Sequence, residues 1–444
     1  MSSLNFTSRW PSKRLGSIFV ENKDKNTDLS NTFALQFSYG NIVAKPEWEL
    51  SSSLEETYKG YTRVNSGDIV INGLNLNYDF VTQRVGLVRT SGIITSAYIL
   101  LRKRINVSSG FYCYYFKAMD SQKIFNGMGT GIRLTLSYPL LKNLNVPVPP
   151  RAEQDQIVRF LDWKVSAINK LINVRKQRLE IIDELRLSVI NKAIKQAMEQ
   201  ENSCQYMRLK TLLITHFSGC WGEDAYEGGN NHLCIRVADF DFDKLLVNPS
   251  ANTMRHYTNK QFQTHHLLDK DLLLEKSGGG KKTSVGRVVR YRGCDTPSMF
   301  ANFCECLRPN LKIVDSDYLA FLLKAFYHNR NMGELYTQTT GIQNINLRKY
   351  LNILLPVLPL TVQKQIITNI EEHFTINDRL VLVEKQEIDL LRELKNRLIS
   401  DVVTGQIDVR NVEIPEYEYV DEEPESDSDD VDGDFDSEEI SEET

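Results

Sequence analysis

With 444 residues and a formal net charge of −5, the chain exceeds one ordinary core and points to roughly two to four domains. It has no run of about 18 apolar residues, which argues against a membrane span, and its opening MSSLNFTSRWPSKRLG lacks the apolar centre of a signal peptide. The seven cysteines are scattered and odd in number, which fits a reducing cytoplasm, and Cys304 with Cys306 has no second ligand pair for zinc.

The first region, 1–145, carries short β-rich runs after Arg14-Leu15-Gly16-Ser17-Ile18. They are Phe33 to Phe37, Asp68 to Ile71, Val85 to Val88 and Thr95 to Leu100, with a turn at Ser91-Gly92. The aromatic run Phe111 to Ala118 starts a helix and supplies core rather than stacking platforms. Gly127 to Leu136 reads as a glycine loop leading into a short strand.

From Val146 the chain reads VPVPPRAEQDQIVRFLDWKVSAINKLINVRKQRLEIIDELRLSVINKAI, and a near-copy starts 209 positions later at Leu355. Pro147 matches Pro356, Gln154 and Gln156 match Gln363 and Gln365, and Glu184-Leu185 matches Glu393-Leu394, all without a gap. Such an internal repeat takes precedence over any local motif. Residues 146–200 read as a spacer helix opened near Arg151, where prolines cost least. Whether it breaks near Val165 or Asn173 stays open. Ile168, Leu171, Leu179, Ile182, Leu185 and Val189 lie on one stripe. In the second copy, 355–410, the stripe is Leu380, Val383, Ile388, Leu391, Leu394 and Leu398. The two stripes are candidates for pairing with each other, antiparallel, or for seating a partner.

Region 201–354 restarts the first pattern. Arg208-Leu209-Lys210-Thr211-Leu212 answers Arg14 to Ile18, Asp271 to Leu274 answers Asp68 to Ile71, and Thr340-Gly341-Ile342 answers Thr130-Gly131-Ile132. The frames agree while the loops differ, as in two copies of one scaffold presenting different surfaces. The fold class is α+β, with two globular domains joined and separated by two long helices in an antiparallel, coiled-coil-like pair. Past Thr404-Gly405-Gln406, a helix stop, residues 411–444 read as a disordered acidic tail. From Glu413 onward there are 17 acids and no base, leaving a body of 41 acids against 53 bases. That basic body suits a polyanionic partner.

The glycine-rich Lys276 to Thr283 departs from a phosphate-binding loop, because Lys282 stands where Ser or Thr is needed and the earlier glycine is missing. Lys276, Ser277, Lys281, Lys282, Thr283 and Arg287 instead suit a loop pressed against DNA, or a plain surface hairpin. The corresponding first-region loop offers Asn75, Asn77, Gln83 and Arg84, since Asn and Gln pair with adenine edges and Arg with guanine. Arg133 and Gln343, beside Gly131-Ile132 and Gly341-Ile342, are weaker candidates of the same kind. Catalysis has little support. Val148-Pro149-Pro150-Arg151 lacks the flanks of an Asn/Asp-Pro-Pro-aromatic methyltransferase motif, and no Gly-x-Gly-x-x-Gly follows a strand. His265 and His266 read as neighbours facing opposite sides of a strand.

Taken in order, PVPPRAEQDQIV and LPVLPLTVQKQII opening the helices, GDIV at Asp68, the glycine loop before SVGRV, and DVVTGQIDVR at the second helix end resemble the specificity subunit of type I DNA restriction-modification enzymes. The resemblance covers about Trp10 to Arg410. It departs at Leu360 and Val362, which replace the Arg151 and Glu153 of the first copy, and in the acidic tail. It implies two target-recognition domains, each reading one half of a bipartite asymmetric double-stranded DNA site, with the helices fixing the gap. It also implies two methyltransferase subunits that modify adenine with S-adenosylmethionine. Restriction subunits, where present, would use ATP and Mg. Neither cofactor would bind this chain, which would be non-catalytic and cytoplasmic. The alternative is a coiled-coil scaffold that organises proteins without reading DNA.

Overall fold

The computed structural model describes residues 9–38, 40–45, 52–77, 83–131, 134–248, 250–279, 283–293, 297–329, 332–339 and 342–423. The described chain forms two compact units. The first comprises residues up to 176 together with the chain from 385 onward, and the second comprises 177–384. Each long helix contributes one part to each unit.

At the centre of each unit is a strand that is apolar on both faces. In the first unit Ile69–Ile71 is fully buried. Ile69 and Ile71 enter one core and Val70 another, because successive side chains point to opposite sides of a strand. Leu272–Glu275 repeats this in the second unit, with Leu272 and Leu274 on one side and Leu273 on the other. A strand covered on both faces reads as an unbroken apolar run rather than an alternating one.

The first unit's main sheet has the antiparallel order Phe19–Glu21, Ile99–Lys103, Ile69–Ile71, Val85–Leu87. Residues 95–98, expected as strand, instead form a turn between Gly92–Ile94 and Ile99–Lys103. The aromatic helix Ser109–Ser121 buries Phe111, Tyr112 and Phe116 against this sheet, and Ser108 caps it by accepting from the Phe111 N–H at 3.4 Å. The glycine stretch after Gly127 forms an isolated bridge, Thr130 to Thr135, rather than a strand, and Gly127 itself lies in the short helix Ile124–Met128.

The second unit's main sheet has the order Leu213–Ser218, Cys304–Pro309, Leu272–Glu275, Val288–Arg290, Leu246–Val247, Phe240–Asp241. Helix Ser316–Asn329 packs its buried Tyr318, Leu319 and Phe321 into the core beside it. A further sheet, ordered Glu223–Asp224, Met254–His256, Asn231–Ile235, Ser298–Phe300, stands at the other side of the domain's second core. His265 ends a helix, Asn259–His265, so the strand reading of His265-His266 is corrected. The cause is a capping box in which Thr258 and Gln261 satisfy each other's backbone N–H groups.

Each region leaves its core through a two-stranded ribbon. Lys13 faces Val146 in the first unit, and Met207 faces Leu355 in the second. The helices Arg151–Gln200 and Leu360–Val403 follow the ribbons, and the first is continuous through Val165 and Asn173. Where each helix begins, a buried glutamine closes the turn. Gln154 accepts from the Ser108 N–H at 2.8 Å and donates to the Pro149 carbonyl at 2.8 Å. Gln363, its repeat partner, accepts from the Asp315 N–H at 2.7 Å and donates to the Leu358 carbonyl at 2.7 Å.

Within each unit the helix segments run antiparallel. In the first, Arg175 pairs with Glu387 and Lys395 reaches Asn169. In the second, Arg178 pairs with Glu384 and Arg186 with Asp378. Of the proposed apolar stripe, Ile168, Ile182 and Ile388 are buried, and Leu179, Val189, Leu391 and Leu398 are half-buried. Leu171, Leu185, Leu380, Val383 and Leu394 are exposed, at 48–53 %. Polar side chains share the buried positions, namely Ser166, Asn169, Asn173, Arg186, Asn377 and Lys395.

The chain after Val403 turns at Gly405, whose φ of 79° and closeness to the Trp10 ring leave no room for a side chain. The sequence predicts disorder from residue 411. Residues 412–423 instead run beside the first long helix, without regular secondary structure. The reason is that buried amides on that helix replace water as partners for the tail backbone. Residues 424–444 of the expected tail lie outside the described residues.

Candidate nucleic-acid interface

The two loops singled out in the sequence are both tied down from inside. In the first unit Arg84 is buried, and its guanidinium donates to the carbonyls of Leu74 at 2.7 Å, Asn75 at 3.2 Å and Asn72 at 3.3 Å. It shapes the loop rather than projecting from it. Asn75 holds a left-handed φ of 49°, a conformation that asparagine tolerates. Asn77 and Gln83 are half-buried, the latter against Gly40.

In the second unit Ser277–Gly278 pairs with Ile342–Ile345, and Ser277 Oγ donates to Asn344 Oδ1 at 2.7 Å. Gln343 is buried and accepts from the Val285 N–H at 3.1 Å, fastening the far end of the loop. Thr283 is half-buried. Arg287 donates two hydrogen bonds to the buried Glu275, at 2.8 and 3.0 Å, with its guanidinium 3.8 Å from the Phe242 ring centre. Lys276, Ser277 and Gln343 therefore come together, and Arg287 joins them through the adjacent Glu275. Arg133, Lys281 and Lys282 lie outside the described residues.

Lys276 sits over a buried acid. Glu305 accepts from Ser218 Oγ at 2.7 Å and lies 2.8 Å from His216 Nδ1, while Lys276 Nζ donates to Ser218 Oγ at 2.7 Å and stands 3.4 Å from Glu305. The arrangement fixes a cation at the root of the glycine loop. Such a fixed cation suits a phosphate better than a freely rotating lysine, because less side-chain entropy is lost on contact.

A surface the sequence reading missed lies on the Met254–His256 sheet. Trp221 and Tyr226 are exposed, at 41 % and 55 %. Arg255 stands 4.6 Å from the Trp221 ring centre and pairs with Asp224, and Tyr226 lies 4.6 Å from His256, centre to centre. His232 stacks on Phe262 at 4.0 Å, and burial pushes its imidazole pKa down, favouring the neutral form. Flat rings beside a guanidinium fit contacts to bases and backbone. The available signal was two large aromatics spaced among Gly219, Gly222, Gly228 and Gly229. It has no periodicity, so pattern reading passes over it.

The thiols nearby are poor nucleophiles. Burial pushes both Cys304 and Cys306 well above the ordinary thiol range. No described helix is long and apolar enough to cross a membrane.

Residues 7–181 match the type I restriction modification DNA specificity domain. The chain is 22 % identical over 366 residues to the type I restriction enzyme MjaVIII specificity subunit of Methanocaldococcus jannaschii, covering 79 % of this chain and 81 % of that protein. It is 21 % identical over 321 residues to the StySPI specificity subunit of Salmonella potsdam, covering 69 % of this chain and 67 % of that protein. In fold it is similar to a chain solved in work on complex assembly and conformational transition of the type I R-M system. There the TM-score is 0.52 and the identity 13 %, over 90 % of this chain and 98 % of the other. With its duplicated domain–ribbon–helix plan, the chain is similar to type I restriction-modification specificity subunits, whose DNA specificity domain matches its residues 7–181.

Proposed function

We propose that this chain is the sequence-reading subunit of a type I restriction-modification assembly and that its two domains each read one half of an asymmetric DNA site. The observation that carries this reading is a repeated frame bearing unlike surfaces. The buried central strand and the ribbon recur in both copies, and the glutamine-closed helix start recurs at an offset of 209 residues. The loops at Asn72 to Arg84 and Lys276 to Thr283 do not match. Two identical readers would suit a palindrome, and two unlike readers suit unlike halves.

On this reading phosphate contacts position the assembly and base edges specify it. The two long helices set the number of unread base pairs. Two methyltransferase subunits dock on the chain and methylate an adenine in each half-site, drawing it out of the duplex. Exposed Leu380, Val383 and Leu394 give such partners an apolar footing on the second helix. S-adenosylmethionine belongs to those subunits, and ATP with Mg to restriction subunits where they are present. The chain itself does no chemistry. A scaffold that ignores DNA is not favoured, because it gives no reason for a duplicated frame with divergent loops.

The deciding experiment is methylation mapping by long-read sequencing in cells, with and without residues 201–354 replaced by another reader. One half of the methylated motif should change while the other half and the gap stay. A change in both halves, or no bipartite motif at all, sinks the reading.

A further inference from the structure

The repeat offset of 209 residues pairs Asn169 with Asp378 and Arg186 with Lys395. In the second unit the pair is a direct ion pair, with the buried Arg186 on the Asp378 carboxylate and also donating to the Asp243 carbonyl at 3.2 Å. In the first unit the equivalent residues leave the cation without a helical carboxylate. Lys395 is buried, and its reach to Asn169 Oδ1, at 3.2 Å, meets only an amide. The missing carboxylate arrives from the tail. Glu422 pairs with Lys395, accepts from Arg392 at 2.9 and 2.8 Å, and lies 3.3 Å from Lys176.

The tail is held by more than charge. Asn169 donates to the Val420 carbonyl at 2.9 Å. Asn173 donates to the Asp421 carbonyl at 2.9 Å and accepts from the Glu423 N–H at 3.0 Å. Ser166 Oγ accepts from the Val420 N–H at 3.2 Å. Three side chains on one helical face thus satisfy the backbone groups of the tail at Val420, Asp421 and Glu423. The same segment reaches the first region's sheet, where Arg89, in the turn after Val85–Leu87, donates to the Tyr419 hydroxyl and covers its ring at 4.2 Å.

We infer that Glu422 is a positioning residue: it supplies from the tail the carboxylate that Asp378 supplies from the helix in the second copy, and so straps the first target-recognition domain to its helix pair. The inference rests on the reading of residues 1–145 as a DNA reader, but its physical core does not. Glu422→Gln keeps the size of the side chain and removes the charge, leaving Lys395 buried with no carboxylate. Asn169→Asp restores a carboxylate at the position the second copy uses, while repelling the Val420 carbonyl.

Hydrogen exchange on the full chain tests this. Glu422→Gln should speed exchange at 164–176, 388–398 and 416–423 by about tenfold or more, leaving the Arg186 region of the second unit unchanged. Adding Asn169→Asp should return the two helix segments to within about twofold of the parent while 416–423 stays fast. In the assembled methyltransferase, Glu422→Gln should lower methylation at the half-site read by residues 1–145 more than at the other, and adding Asn169→Asp should leave it low, because the tail stays loose. Unchanged exchange in Glu422→Gln, or no return of protection to the two helix segments with Asn169→Asp, overturns the inference. If the exchange pattern appears but the parent assembly methylates no bipartite site, the DNA-reading function fails and the strap stands. If exchange behaves as stated but both half-sites lose methylation equally, Glu422 does not position the first reader.

Discussion

The Asp68 carboxylate grips the Arg102 guanidinium through two hydrogen bonds, 3.0 and 2.7 Å long, at the start of the first unit's central strand. Asp271 grips Arg308 in the same way in the second unit, at 2.8 and 2.7 Å. Each Asp also accepts from a backbone N–H three residues before it, at Asn65 and Leu268. One buried carboxylate therefore closes the turn into the strand and locks the neighbouring strand beside it. Asp271→Asn removes the buried carboxylate and leaves the half-buried Arg308 without its anion. It should cost on the order of 1–3 kcal/mol, read as a lower urea midpoint for the second unit. Asp68→Asn should do the same to the first unit, and a shift within about 0.5 kcal/mol would show the clamp to be incidental.

Lys276 and Arg287 are adjacent in the same loop system but should behave differently. Lys276→Ala should weaken DNA binding and reduce the salt slope by about one counterion, at a smaller stability cost than at Arg287, because the buried Glu305 keeps Ser218 and His216 as partners. Arg287→Ala uncovers Glu275 and should lower stability first. Titrations of the assembled complex at several salt concentrations, beside thermal melts, separate the two.

The exposed rings offer a second test in the same unit. Trp221→Ala and Tyr226→Ala should each reduce affinity for the half-site read by residues 201–354 by about tenfold, without altering the melt. Competition with oligonucleotides scrambled in one half at a time gives the answer. Equal loss on both halves would place these rings outside the reading surface.

The spacer role predicts a graded response. Four residues added to each long helix, after Lys176 and before Lys385, lengthen it by about 6 Å. The methylated motif should keep both halves and widen its gap by roughly one to two base pairs. A motif with an unchanged gap would separate the helices from the measurement of distance.

Acid should release the strap. Burial raises the Glu422 carboxyl, but Lys395 and Arg392 outweigh it and hold it at about 2, against an ordinary 4.5. A depressed folded value means the contribution is complete above about pH 4.5 and fades as pH falls toward 2. Lys176, Arg392 and Lys395 are the cations facing the group. Cleavage of 416–423 by an acid-active protease should rise across it in the parent and be already high at pH 5 in Glu422→Gln.

Much of this was legible in advance, for identifiable reasons. The repeat exposed the helices and their boundaries because a gapless match depends on no propensity. Leu272 to Leu274 and Ile69 to Ile71 were visible because strands buried on both faces are continuous apolar runs. The seam was less visible. The stripe marked Leu171, Leu380 and Leu394, yet these are exposed, while Asn169, Asn173, Arg186 and Lys395 are buried. Hydropathy sorts side chains by type, and these polar groups are buried because partners distant in sequence satisfy them. The same blindness made the tail look disordered from residue 411, since its partners lie about 250 residues away along the chain. In the loops, Arg84 and Gln343 were singled out because their chemistry suits DNA. That the Arg84 guanidinium also donates to the carbonyls of Leu74 and Asn75, and that Gln343 accepts from the N–H of Val285, only the folded chain reveals.

The core of the first unit contains Ile399, Val402, Val403 and Val409 beside Phe111, Phe160 and Leu161. A ribosome makes the early members of that set long before the late ones. At roughly 5–20 residues per second, synthesis of residues 177–384 takes on the order of 10–40 s. The first unit's core therefore closes only when residues 399–409 arrive, after residues 177–384 of the second unit have been made.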